Sequence, residues 1–187
     1  MSHHLAAEER GKVIFAMRNA LDVSVSYFHH YVDAHLLFDF YGGWEDFFGL
    51  FSAGDVGSGN YFEFVASWWS QRNASNVLFL RYEEMRADPA PHVQRIAGFL
   101  GLGRLSAARL QEVLDVTSFE HIQRVEQSDF RGKLQRLFGL RKDYRARKGK
   151  SFDGRLHTDS QRMILEEQYN RTLKPLGVPR EWALGRG

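Results

Sequence analysis

Residues 13–17 read Val-Ile-Phe-Ala-Met, an apolar run without a polar interruption, and helical spacing begins within a few residues of its end. A run of this kind predicts a strand of a parallel sheet, buried on both faces. Arg18 and Asn19 close it. Asp22, Val23, Val25, Ser26, Tyr27 and Tyr31 then recur at helical intervals, with Asn19 as the N-cap and Asp22 in the first turn. A buried parallel strand running straight into a helix presents backbone N–H groups and a positive dipole end at the sheet's carboxyl edge. Anions bind there in open α/β sheets. Arg18 at the strand end and Ser26 two turns into the helix can converge on one phosphate, the first with a bidentate fork and the second with a hydroxyl. The plainer reading is a βα unit whose arginine pairs with a surface acid.

The remaining chain continues the alternation. Six glycines between residues 39 and 60 punctuate a stretch of short helix and loop, with one helical turn over 44–48. Residues 61–72 are apolar at helical spacing and predict a buried helix, with Trp68 and Trp69 in the core. A second strand covers 76–82, and from Glu83 the chain turns into a helix that starts near Pro89 and ends at Gly101. Residues 106–116 and 159–176 predict amphipathic helices, the latter stopped by Gly177 and Pro179. Without internal repeats, 187 residues of this pattern predict one α/β domain over 1–187, with a parallel sheet between helices.

The aromatic fraction of 14% and hydrophobic fraction of 43% exclude a disordered chain. The absence of cysteine excludes disulfides and thiolate metal sites, and a reducing, cytoplasmic setting is the expectation. Glu8, Glu9, Arg10 and Lys12 precede the first apolar run, so residues 1–11 read as a poorly ordered N-terminus rather than a signal peptide. No stretch reaches the roughly 20 apolar residues of a membrane span, and no membrane partner is expected. Charge is uneven: residues 131–150 hold nine Lys/Arg against Asp143 alone, a local +8 in a chain of net +2. That concentration points to a polyanionic ligand or partner, or, more plainly, to a solvated basic face. Nucleic acid is disfavoured, because Phe138 and Tyr144 are the only aromatics of the run and the remaining charge is negative.

Four separated stretches carry a resemblance: Arg18-Asn-x-x-Asp-Val-x-Val-Ser26-Tyr, Tyr82-Glu-Glu-Met after a strand, Thr117-Ser-Phe119-Glu, and Arg147-Lys148-Gly149. In this order, with Gly-x-Trp-x-x-Phe around Trp44 and Phe47, the chain resembles the cytosolic sulfotransferase family over residues 12–170. The resemblance implies a P-loop-NTPase-like sulfotransferase fold with a parallel central sheet. It also implies 3′-phosphoadenosine 5′-phosphosulfate (PAPS) as donor, 3′-phosphoadenosine 5′-phosphate (PAP) as product, no metal, and a small-molecule acceptor with a hydroxyl or amine. Arg18, Ser26, Arg147, Lys148 and the Gly149 amide would hold the 3′-phosphate, Tyr82 would reach the adenine edge, and Thr117 and Phe119 would line the base. Residues 131–155 would form the basic nucleotide-binding loop region.

The family also carries a Lys-Ser/Thr-Gly-Thr-like loop for the 5′-phosphosulfate, upstream of the first matching motif. No such loop is present among residues 1–11, so the resemblance implies a sulfotransferase fold lacking its N-terminal phosphosulfate-binding part. The catalytic base is left unassigned. Ser2-His3-His4-Leu5 is similar to the family's Ser/Thr-His-Leu around its catalytic histidine, which makes His3 and His4 the candidates, against a reading as a solvated terminus. The expectations are a sulfotransferase with little turnover from this chain alone, a catalytically inactive remnant that binds PAP, or an interaction protein using residues 131–150. A strand lacking a neighbour also leads to an expectation of self-association.

Overall fold

The computed structural model describes residues 11–128 and 156–185. Its frame is a parallel pair of strands, β1 (Val13–Met17) and β2 (Val77–Arg81), in register from Val13 opposite Val77 to Met17 opposite Arg81. Parallel neighbours need a long crossover. Here it consists of α1 (Ala20–Asp33), α2 (His35–Phe38), α3 (Trp44–Ala53) and α4 (Tyr61–Trp69). After β2 come α5 (Tyr82–Ala87), α6 (Pro89–Leu100), α7 (Ala107–Val116) and α8 (Phe119–Ser128). The second described stretch holds α9 (Asp159–Thr172), a 3-10 turn (Lys174–Leu176) and α10 (Arg180–Ala183). The expected α/β architecture, a parallel sheet flanked by helices, is the one found.

The burial of β1 differs from expectation. Phe15 and Met17 face the core, at 9% and 1% exposure, whereas Ile14 is 41% exposed and Ala16 is also exposed. The pleat sends alternate side chains to opposite faces. An unbroken apolar run does not say which face will be covered. On the covered face the Phe15 ring lies 4.7 Å from that of Phe79 and 5.7 Å from that of Trp68. Behind it Met17, Phe47, Phe62, Val65, Leu165 and Leu173 are fully buried, so α3, α4 and α9 close one core against the strand pair. Trp69 belongs to that core as expected, and its Nε1 donates to the Leu176 carbonyl at 3.0 Å.

Boundaries moved where tertiary packing outweighed local punctuation. The single helical turn expected over 44–48 is a ten-residue helix that runs through Gly49. Glycine weakens a helix by about 1 kcal/mol relative to alanine, and burial of Phe47, Phe48 and Phe51 offsets this. The helix stops at Gly54, at φ +77°, where a Cβ would lie 2.9 Å from the Asn60 Cβ. Asn60 caps α4, its Oδ1 accepting from the N–H groups of Phe62 and Glu63 at 2.9 and 3.2 Å. α4 ends at Trp69 rather than 72, and β2 ends at Arg81 with Tyr82 already helical. The four-residue helices α2 and α10 are too short to leave a periodic signature.

The N-terminus of α9 is clamped to α1 and α3. The Thr158 hydroxyl accepts from the Gln161 N–H, and Gln161 bridges to Trp44 Nε1 at 3.1 Å and to Glu45 at 2.7 Å. His157, buried, places Nε2 2.9 Å from the Ser24 hydroxyl and meets the Trp44 ring edge-on at 4.9 Å. Ser24 donates its own hydrogen to the Leu21 carbonyl at 3.0 Å. The Ser24 hydroxyl thus links the Leu21 carbonyl of its own helix to the imidazole of His157.

Candidate functional site

The parallel register puts Met17 opposite Arg81, so the chain leaves both strands at the same level. The next residues are Arg18 and Tyr82, and they meet: the Arg18 guanidinium carbon lies 4.6 Å over the centre of the Tyr82 ring. Nη2 of Arg18 also lies 3.3 Å from Oδ2 of Asp22, whose side chain is 2% exposed. The Arg18 side chain keeps 22% of its surface, and its Nε is buried without a hydrogen bond among the described residues. The pairing with an acid foreseen by the plainer reading is real. That acid is buried in the helix, though, and the cation is also stacked on an aromatic ring.

A second layer locks this arrangement. The Asn19 side chain caps α1, its Oδ1 accepting from the Asp22 N–H at 2.9 Å and its Nδ2 donating to Asp22 Oδ2 at 3.2 Å. The same Nδ2 donates to Glu83 Oε1 at 2.7 Å, and the Asn19 backbone N–H donates to that oxygen at 3.0 Å. The other oxygen of Glu83 lies 3.4 Å from Nε of Arg81, a buried guanidinium that also donates to the Glu181 carbonyl at 2.8 Å. Tyr61 donates its hydroxyl to the Arg18 carbonyl at 2.6 Å. Burial, and then the charge of Glu83, push the Tyr61 phenol far above its ordinary value, so it stays a donor.

Arg18 and Arg81 face Asp22, Glu83 and Glu84, one more negative charge than positive. A doubly charged phosphate would need further cations beside Arg18. The sequence offers Arg147 and Lys148 for this; with Gly149 they lie outside the described residues, as do His3 and His4. Ser26 is exposed, one helical turn after Asp22, and so follows the Arg18 partner along one line of α1. Thr117 is exposed at the end of α7 and donates its hydroxyl to the Val113 carbonyl of its own helix at 2.7 Å; Phe119 opens α8, half-buried. Among the described residues no hydrogen bond or ring contact joins either of them to Arg18 or Tyr82. The structure thus brings Arg18 and Tyr82 together, places Ser26 one turn beyond Asp22 on α1, and among the described residues shows no link from Ser26, Thr117 or Phe119 to that pair.

Sequence reasoning missed Glu83, Arg81 and Tyr61. For Glu83 a signal existed: an acid two residues past a strand end sits at the carboxyl edge of the sheet, where it meets the second residue past the neighbouring strand. Tyr61 lies in an apolar helix and gave none. Among the described residues no three His, Asp or Glu side chains cluster as a metal ion would require.

Comparison with known proteins now decides the family. The family model for the sulfotransferase domain matches residues 2–177. The chain belongs to the sulfotransferase domain family. It is 35% identical over 117 residues to sulfotransferase 1A1 of Bos taurus, which covers 63% of this chain and 39% of that protein. It is 39% identical over 113 residues to sulfotransferase 1B1 of Canis lupus familiaris, covering 60% and 38%. The chain thus spans about two-fifths of the length of these curated relatives. Mouse sulfotransferase SULT7A1, solved as a complex with PAP, superposes with a TM-score of 0.74 at 30% identity, over 89% of this chain and 59% of that one. Retinol dehydratase, solved with androsterone and the inactive cofactor PAP, gives 0.76 at 28%, over 90% and 49%. The sulfotransferase fold inferred from four short motifs is the fold of the chain.

Proposed function

We propose that this chain carries the 3′-phosphate and adenine side of the nucleotide site in a PAPS-dependent sulfotransferase. The whole protein would transfer a sulfuryl group to a hydroxyl or amine of a small-molecule acceptor. One observation carries the reading: Arg18 and Tyr82, separate in sequence, stack at the carboxyl ends of two adjoining parallel strands. Open α/β sheets bind their ligands in that place. A guanidinium with a free buried Nε and a retained exposed edge suits a phosphate, and the ring beneath it suits a base edge. Two structural neighbours solved with PAP support the same ligand class.

When bound, PAPS supplies the activated sulfuryl group at its phosphosulfate. The residues of this chain bind and orient. Arg18, pinned by Asp22, offers a charge that need not reorganise on binding, and Ser26 offers a hydroxyl one turn beyond that carboxylate. Arg147, Lys148 and the Gly149 amide supply the remaining positive charge in this proposal, Thr117 and Phe119 approach the base, and the remaining residues of the whole protein hold the phosphosulfate and the acceptor. Calorimetric titration with PAP and with 5′-AMP tests the reading. PAP is expected to bind at least about tenfold more tightly, because the additional phosphate gains charge-assisted hydrogen bonds. Equal affinities would overturn it.

A further inference from the structure

Glu83 is not a ligand candidate, yet it touches the residues that are. It directly follows Tyr82 in the chain, and its Oε1 accepts both the backbone N–H and the side-chain Nδ2 of Asn19, which directly follows Arg18. One carboxylate oxygen, carried just past the end of β2, thus binds the chain just past the end of β1. The remaining oxygen is turned toward Arg81, the last residue of β2. Asn19 passes the constraint on, since the same amide nitrogen that meets Glu83 also meets Asp22, the partner of the Arg18 guanidinium. Arg18 is therefore held in three places: at its carbonyl by Tyr61, at its guanidinium by Asp22, and, through Asn19, against the Tyr82 ring by Glu83.

We propose that Glu83 is a positioning residue that registers Arg18 against Tyr82, so that a phosphate and an aromatic base on one ligand are recognised as a unit. The inference rests on the nucleotide-binding reading above and adds a specificity role to it. Both main-chain and side-chain N–H groups of Asn19 converge on one oxygen, a geometry that fixes the level of one strand end against the other as well as the spacing of the strands. Without that oxygen, α1 can shift along its axis and take Arg18 with it, while Tyr82 stays with β2. The phosphate contact then suffers more than the base contact.

The test compares PAP and 5′-AMP affinities of the full chain and its Glu83 variants by calorimetry, with thermal melts run alongside. Glu83→Ala is expected to lower the preference for PAP over 5′-AMP about tenfold and to weaken 5′-AMP itself less than about threefold. Glu83→Gln keeps an oxygen for the two Asn19 donors and should retain most of the preference, even with a lowered melting temperature from the altered Arg81 contact. Asn19→Ser keeps a capping oxygen but removes the Nδ2 donor, and should show the same selective loss should Glu83→Ala fail to fold. Equal losses for both ligands, or a Gln variant as damaged as the Ala variant, would overturn the inference. An unaltered chain without any preference for PAP would remove the nucleotide-binding reading itself, and would do so before any substitution is made.

Discussion

Replacing Arg18 with alanine separates binding from stability, because the structure gives this side chain one partner that cannot be left alone. Asp22 is 2% exposed, and beyond Arg18 its carboxylate oxygen receives the Asn19 Nδ2 at 3.2 Å. Removing the guanidinium leaves a buried carboxylate with much of its compensation gone. Breaking one side of a buried pair costs about 3–5 kcal/mol in full burial; with Arg18 still 22% exposed, about 2–3 kcal/mol is the expectation here. In a chain of this size that lowers the melting temperature by roughly 5–10 °C. The double variant Arg18→Ala/Asp22→Asn keeps an oxygen for Asn19 and removes the stranded charge, so most of that loss should return. Binding should not return with it. Loss of a fork of charge-assisted bonds to the 3′-phosphate weakens PAP by about 2–3 kcal/mol, roughly 30- to 150-fold, in both variants, whereas 5′-AMP has no phosphate there to lose. The assay is calorimetric titration of both ligands beside thermal denaturation. Recovery of PAP affinity together with stability in the double variant would show that Arg18 serves the fold alone, and the site assignment would fail.

Tyr61 gives a pH dependence. Its phenol is raised in the folded chain by burial and by Glu83 above the ordinary 10.0, so unfolding releases a proton that folding retains. Its share of the stability is complete below about pH 10 and falls above it by up to about 1.4 kcal/mol per pH unit. Tyr61→Phe should flatten the alkaline limb of urea-denaturation stability measured from pH 8 to 11 and lower the neutral value by about 1 kcal/mol, since the Arg18 carbonyl loses its 2.6 Å donor; an unchanged limb would contradict the buried placement. Two glycines should respond oppositely to alanine. Gly54→Ala should cost about 1–3 kcal/mol, because φ is +77° and the new Cβ meets Asn60 at 2.9 Å, whereas Gly49→Ala, in open space within α3, should gain about 0.5–1 kcal/mol in the same denaturation assay.

Local chemistry was readable from the residues themselves. The apolar run at 13–17, the Asn19 cap, the helical recurrence from Asp22 to Tyr31 and the proline and glycine that bound α6 all act within a few residues of one another. Pattern alone is enough to place them. The order of four short motifs was enough to point to the sulfotransferase family, which the domain match over residues 2–177 established. What the pattern could not hold was any relation across distance. Whether β1 is covered on one face or two depends on which helices pack on it, and the exposed Ile14 answers a question the apolar run does not pose. Arg18 finds Tyr82 only because Met17 pairs with Arg81, a register set by two strands with four helices between them. Asn19 and Glu83 stand 64 residues apart and share one oxygen, so the charge balance around Arg18 exists only in the folded chain. Side-chain type is a property of sequence. The company each side chain keeps, and with it the difference between a surface ion pair and a guanidinium stacked on a ring and paired with a buried acid, is decided when the two strand ends come to lie side by side.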